Sequence, residues 1–218
     1  MCAGRASPRS ARRANWTTWR IGELTLPNPP DNEPPRPARY YEAITVGDQT
    51  FDLAHLDPMT FATPSDRLRR PVVTWCRFTT HCFTRSAADA DGPPFVIDEG
   101  RRRRVFCPDR HALSAHLPAA MRMLEDPNRY VSETAAERNW IHRAEILVET
   151  GSSQVIYQVF FSVKKARRAD PFDVELTVES AYAFDPLRLP KLRGRMKIAS
   201  LLTAMVEGKK PHTKGGRT

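Results

Sequence analysis

Cys76, His81 and Cys82 lie close together in the chain, and Cys107 is followed by His111 after three intervening residues. Thiolates and imidazoles of this kind ligate zinc, provided that they converge within about 2.3 Å of one ion. The stretch carrying the first three argues against convergence. From Val72 to Thr84 the chain is rich in β-branched and aromatic residues and contains neither Gly nor Pro, which reads as a strand. On a strand, Cys76 and Cys82 share a face but stand about 20 Å apart, while His81 points the other way. No metal site and no cofactor are expected, and these cysteines read as reduced thiols half-buried in an intracellular sheet.

A second group of residues could do chemistry without a metal. Trp140 to Val148, Val155 to Val163 and Val174 to Phe184 are three strand-like runs separated by a Gly-Ser loop and a charged loop, the layout of an antiparallel meander. Apolar residues meet if Val148 opposes Tyr157, Ile146 opposes Val159 and Ala144 opposes Phe161. On the other side, Val159 would oppose Val178, Phe161 would oppose Leu176 and Val163 would oppose Val174. The opposite face then shows Arg143, Ser162 and Glu175 in one row, Glu145, Phe160 and Thr177 in the next, and Leu147, Gln158 and Glu179 in the third. Such a face could take a nucleotide, its base on Phe160 and its phosphate near Arg143, with Glu145 as general base. A charged outer face is equally what an antiparallel sheet turns to water. His142, on the apolar side, reads as a satisfied core histidine.

Charge is distributed unevenly around these elements. The net +9 arises at the ends: residues 1–22 contribute +5, with Arg12 and Arg13 among them, and residues 186–218 contribute +8, which leaves 23–185 at −4. Basic arms contact nucleic-acid phosphates or anionic membranes with little selectivity, and salt weakens such contacts. Solubilising tails are the plainer use. No run approaches the roughly 18 apolar residues of a membrane span, and the amino terminus lacks the apolar core of a signal peptide. A cytoplasmic protein is expected, the arginine-rich start being only a faint echo of a transit peptide.

The elements that must position the chemistry follow from punctuation and period. Six prolines between Pro27 and Pro37 exclude helix and sheet and favour an extended linker. Residues 1–38 are therefore expected to form a disordered arm, 39–207 a single domain and 208–218 a disordered basic tail containing Lys209 and Lys210. Tyr41 to Val46 and Thr50 to Leu53 form a hairpin around Gly47. Phe95 to Ile97 and Arg101 to Phe106 suggest another, with the run Arg101 to Arg104 on a solvated, charge-protected edge strand; nuclear import is the motif-level alternative. Asp109 to Glu125 has the apolar rhythm of an amphipathic helix that Pro118 kinks or restarts. Arg195 to Glu207 forms a last helix stopped by Gly208, its apolar stripe free to cover the meander or to mediate self-association. The expected class is α+β: antiparallel β-hairpins, a helix, a three-stranded antiparallel meander and a C-terminal helix.

Residues 110–185, through Leu113 to Pro118, Leu124 to Pro127, Tyr157 to Phe161 and Val178 to Tyr182, resemble the helix-then-meander modules of phage- and toxin-associated nucleases in the barnase, EndoU, colicin and RelE group. The resemblance implies a metal-independent endoribonuclease in which His111 is the general acid, Arg143 steadies the phosphate and Glu145 activates a ribose 2′-hydroxyl. The rival expectation is a non-catalytic accessory protein. It would bind RNA, other nucleic acid or a protein partner through Arg143, Gln158 and Phe160 on the sheet and Arg12, Arg13, Lys209 and Lys210 on the arms.

Overall fold

The computed structural model describes residues 39–135, 139–148, 153–185, 190–211 and 213–215. A first hairpin joins β1 (Ile44–Val46) to β2 (Gln49–Phe51). Its turn uses Gly47 at φ +64°, which a residue without Cβ adopts at no steric cost. After a 3₁₀ turn at Ala54–Leu56, β3 (Met59–Ser65) and β4 (Arg70–Phe78) pair antiparallel. Both alternate strictly, burying Phe61, Thr63 and Ser65 from β3 and Val72, Thr74, Cys76 and Phe78 from β4.

The expected strand from Val72 to Thr84 ends early, at Phe78. The Thr79 amide turns to the Val178 carbonyl (3.0 Å), and Thr80–Cys82 form a 3₁₀ turn closed by the Thr84 hydroxyl donating to the Thr80 carbonyl (2.7 Å). Cys76 and Cys82 are fully buried rather than half-buried. Burial pushes the Cys82 thiol up to about 12, which keeps it un-ionised and unreactive. Among the described residues, no three His, Cys, Asp or Glu side chains gather where an ion could sit.

Next come β5 (Thr84–Ser86), β6 (Phe95–Ile97) and β7 (Arg103–Phe106), which form a small antiparallel sheet in the order β5-β7-β6. This corrects the solvated edge strand. β7 is central, and Arg104 is buried, its guanidinium donating to the Thr84 hydroxyl (2.7 Å) and carbonyl (3.2 Å). The amphipathic segment divides as its proline requires, into α1 (Pro108–Ser114) and α2 (Leu117–Arg122), with Pro118 in the first turn of α2 and a 3₁₀ turn at Met123–Glu125.

The rest builds the main sheet: β8 (Tyr130–Thr134), β9 (Trp140–Val148), β10 (Ser153–Lys165), β11 (Val174–Ala183) and β12 (Leu192–Lys197), then α3 (Ile198–Val206) and β13 (Lys214–Gly215). The strand order is β13-β12-β8-β9-β10-β11-β4-β3, antiparallel throughout except that β11 runs parallel to β4. This is the expected α+β class, enlarged by strands on both sides of the meander. α3 covers the core face, burying Ile198, Leu201 and Leu202 above β3, β4, β10 and β11. Phe161, Leu176 and Val178 beneath it are fully buried, each worth about 1.5–3 kcal/mol of apolar transfer. No helix among the described residues is long and apolar enough to cross a membrane.

The register of the meander differs from expectation in an informative way. Ala144 opposes Tyr157 rather than Phe161, an even slip that leaves every side chain on its expected face. Between β10 and β11, Val163 opposes Leu176 and Phe161 opposes Val178, but Phe160 opposes Ser180 and Val159 opposes Ala181. Glu179 is the extra residue of a β-bulge. Beyond it the alternation of β11 is reversed relative to a continuous ladder.

Candidate nucleic-acid interface

The bulge determines what the outer face of the meander displays. Arg143 on β9, Gln158 on β10 and Tyr182 on β11 lie in one row. Without the extra residue Tyr182 would be turned to the core; with it, the Tyr182 ring stacks on Phe160, centroids 5.1 Å apart and planes 26° from parallel. Glu179 is held in place, its carboxylate accepting from the Ser162 hydroxyl (2.8 Å) and its carbonyl from the Thr79 hydroxyl (2.7 Å).

Two guanidiniums lie near aromatic rings of this region, one of them beside the pair itself. Arg110 of α1 stands 5.9 Å from the Tyr182 ring centre and is steadied by donating to the His81 carbonyl (2.9 Å). Arg143 is exposed and lies 5.3 Å from the Phe184 ring. These are cation–π distances, at which a guanidinium keeps outward donors for a further acceptor. Gln158 is 1% exposed, and its amide nitrogen has no hydrogen-bond partner among the described residues. It forms the floor of the face instead of an open contact. Farther along, Arg77 pairs with Glu175 (2.9 Å) and Trp75 stacks on Phe172 (5.5 Å).

His111 belongs to a different neighbourhood. Its Nε2 lies 3.0 Å from the Asp52 carbonyl and must carry the proton there, and its ring packs against Phe51, Phe106 and His55. The His55 Nε2 lies 2.7 Å from the Ser114 hydroxyl, which donates its own proton to the His111 carbonyl (2.7 Å), so His55 is the donor of the pair. Burial, and then the neighbouring His111, lower the pKa of His55. Successive helical residues diverge by about 100°, so Arg110 reaches the sheet while His111 reaches the first hairpin. The expected trio of His111, Arg143 and Glu145 is thus not gathered by the described contacts: Arg143 shares none of His111's partners, and the side chain of Glu145 lies outside the described residues.

A second polar cluster anchors Arg110 indirectly. The carboxylate of Asp98, fully covered, accepts from the Gly100 and Arg102 amides at 2.9 and 2.8 Å. It also accepts from His81 Nε2 and Arg102 Nε, both at 3.1 Å. The Arg102 amide foremost, with His81 and the Arg102 side chain, holds this carboxyl down at about 2. It fixes the β6–β7 turn and, through His81, the residue whose carbonyl holds Arg110. His142 is buried as expected, with the Ala120 backbone as the polar group beside its ring and neither nitrogen in good hydrogen-bond geometry with a described residue.

Of the other sequence candidates, Phe160 is in the stacked pair, Lys209 and Lys210 lie beyond α3 in a separate setting, and Arg12 and Arg13 lie outside the described residues. Arg110, Tyr182 and Phe184 escaped the sequence reading. A one-residue bulge leaves no periodic signal, and a helix arginine beside a sheet is recognised only once the two are packed. A model of the YjaZ family matches residues 43–206, from the first hairpin to the end of α3. No curated protein and no solved structure matches the chain.

Proposed function

This chain belongs to the YjaZ family, and we propose that it is a nucleic-acid-directed protein that holds single-stranded RNA on the outer face of its main sheet. The observation that carries the reading is the Phe160–Tyr182 stack, with Arg110 beside Tyr182 and Arg143 in the same row of the sheet. Unpaired bases stack on such rings at about 1–3 kcal/mol each, whatever their identity, while arginines take the intervening phosphates. The acidic middle of the chain works against phosphate attraction at long range, so the basic ends supply it, and affinity falls steeply with salt.

Binding without cleavage is favoured over the endoribonuclease. Cleavage would need an acid and a base within about 3 Å of the reacting oxygens. His111 is committed to the Asp52 carbonyl, and Glu179 already accepts from Ser162. The test is fluorescence anisotropy of a labelled unstructured RNA with the full chain in EDTA, with the RNA analysed on a gel afterwards. Tyr182→Ala and Arg143→Ala are expected each to weaken binding about tenfold, the RNA remaining intact. Unchanged affinity in both variants sinks the outer-face reading. RNA cleavage lost in Glu145→Gln would replace the binding module with the nuclease.

A further inference from the structure

The α3 side of the sheet carries two adjoining cavities, of about 460 and 380 Å³, which share Lys209 and Lys210 as a common wall. Gly208, the expected stop of α3, closes the helix with a Schellman motif. The Lys209 amide bonds the Ala204 carbonyl (2.8 Å), the Gly208 amide bonds that of Met205 (3.0 Å), and Gly208 adopts φ +70°. This lock aims the two lysines, which lie just beyond the segment matched by the family model.

The cavities differ in chemistry. The larger is lined by Arg67, Lys197, Lys209 and Lys210 against only Asp66 and Glu207. Glu207 is already neutralised by Arg67 (2.7 Å) and Lys209 (2.9 Å), and Lys197 rests on the Asn128 amide oxygen (2.7 Å). Lys210 is exposed and has no ion pair among the described residues. Ala199 and Ser200, in a first turn of α3 that has no side-chain cap and no acid, line the same space. The smaller cavity is walled by Trp140, Val163 and Met205, with Glu133 and Lys165 also lining it. A cationic cavity beside an apolar, aromatic one, with the flexible Lys209 and Lys210 lining both, matches a ligand with an anionic end and a flat organic body, and each volume falls within the range of small-molecule sites.

We propose that this double cavity binds a nucleoside monophosphate, the phosphate among Lys197, Lys209 and Lys210 and the base against Trp140. It is a site separate from the outer face, on the opposite side of the sheet. The test is calorimetric titration of the full chain with the four ribonucleoside monophosphates, with adenosine and inorganic phosphate as partial ligands. At least one monophosphate should bind, at least tenfold more tightly than phosphate or adenosine alone. Lys210→Glu should weaken it at least tenfold, Lys197→Gln and Trp140→Phe severalfold, and Tyr182→Ala not at all. Lys210 is exposed, so a melting curve matching the parent chain separates lost binding from lost folding. No binding at millimolar concentration overturns the proposal. So does affinity that survives Lys210→Glu, or affinity lost in Tyr182→Ala, which would move the ligand to the outer face.

Discussion

At adjacent positions of β9, His142 and Arg143 point to opposite faces of one sheet and meet opposite environments. His142 is fully buried on the α3 side, where burial first and the nearby Arg129 second lower its pKa to about 4. Arg143 is exposed and charged beside an aromatic ring. Phe160 and Phe161 repeat the contrast on β10: one stacks on Tyr182 at the surface, the other is sealed in the core. A side chain sealed in the core contributes stability, whereas one left on the outer face is available to a ligand. The arginines make the same point. Arg101 to Arg104, the most conspicuous cluster in the sequence, are largely taken up by the fold: Arg102 serves Asp98, Arg104 serves Thr84 and Arg103 covers Phe95 at 3.7 Å. The scattered Arg110 and Arg143 instead stand beside the aromatic rings of Tyr182 and Phe184.

The largest effect expected from this contrast is in the phenylalanine pair. Phe161→Ala should cost about 3–5 kcal/mol, seen in chemical denaturation as a lowered midpoint. Phe160→Ala should cost much less stability while weakening RNA binding; equal stability losses would break the division between the faces. Acidification comes next. An unfolded His142 takes up a proton near its ordinary 6.5, but the folded one resists until about pH 4. Stability is therefore unpenalised above about 6.5 and declines as pH falls toward 4, by roughly 3 kcal/mol at most. Denaturation curves across that interval should flatten in a His142→Leu variant, and an unaltered slope would show that His142 is not buried neutral.

A smaller loss is expected at the buried arginine. Arg104→Met leaves the Thr84 hydroxyl and carbonyl without their donor, at a cost of about 1–3 kcal/mol, which should lower Tm by several degrees without altering RNA affinity. The smallest stability change belongs to Arg143→Ala, expected within about 0.5 kcal/mol of the parent chain yet with RNA binding reduced. If Arg143→Ala unfolded the protein and Arg104→Met did not, the roles assigned to the two arginines would be reversed.

Much of the architecture could be read from local signals. The β1–β2 turn at Gly47, the helix restart at Pro118, the three meander strands and the stop of α3 at Gly208 each rest on the conformational limits of one residue or on a period of 2 or 3.6. Faces of β9 and β10 were legible even though the register was not, because an even slip preserves them. The candidate site was legible only in part. Strand alternation identifies Arg143 and Phe160 as outer-face residues, and it puts Gln158 on the right face without revealing that it is buried.

What the amino-acid sequence determined by itself, then, is which segments become strands and helices and which side of each is apolar, since these depend on nearest neighbours along the chain. Tertiary structure alone decided that Glu179 bulges and turns Tyr182 outward, that β7 takes the centre of its sheet and buries Arg104, that Arg110 and His111 part company, and that Lys209 and Lys210 wall two cavities. Each of these is settled by contacts between residues far apart in the chain, such as the Thr79 hydroxyl on the Glu179 carbonyl (2.7 Å), whose energies no local pattern encodes.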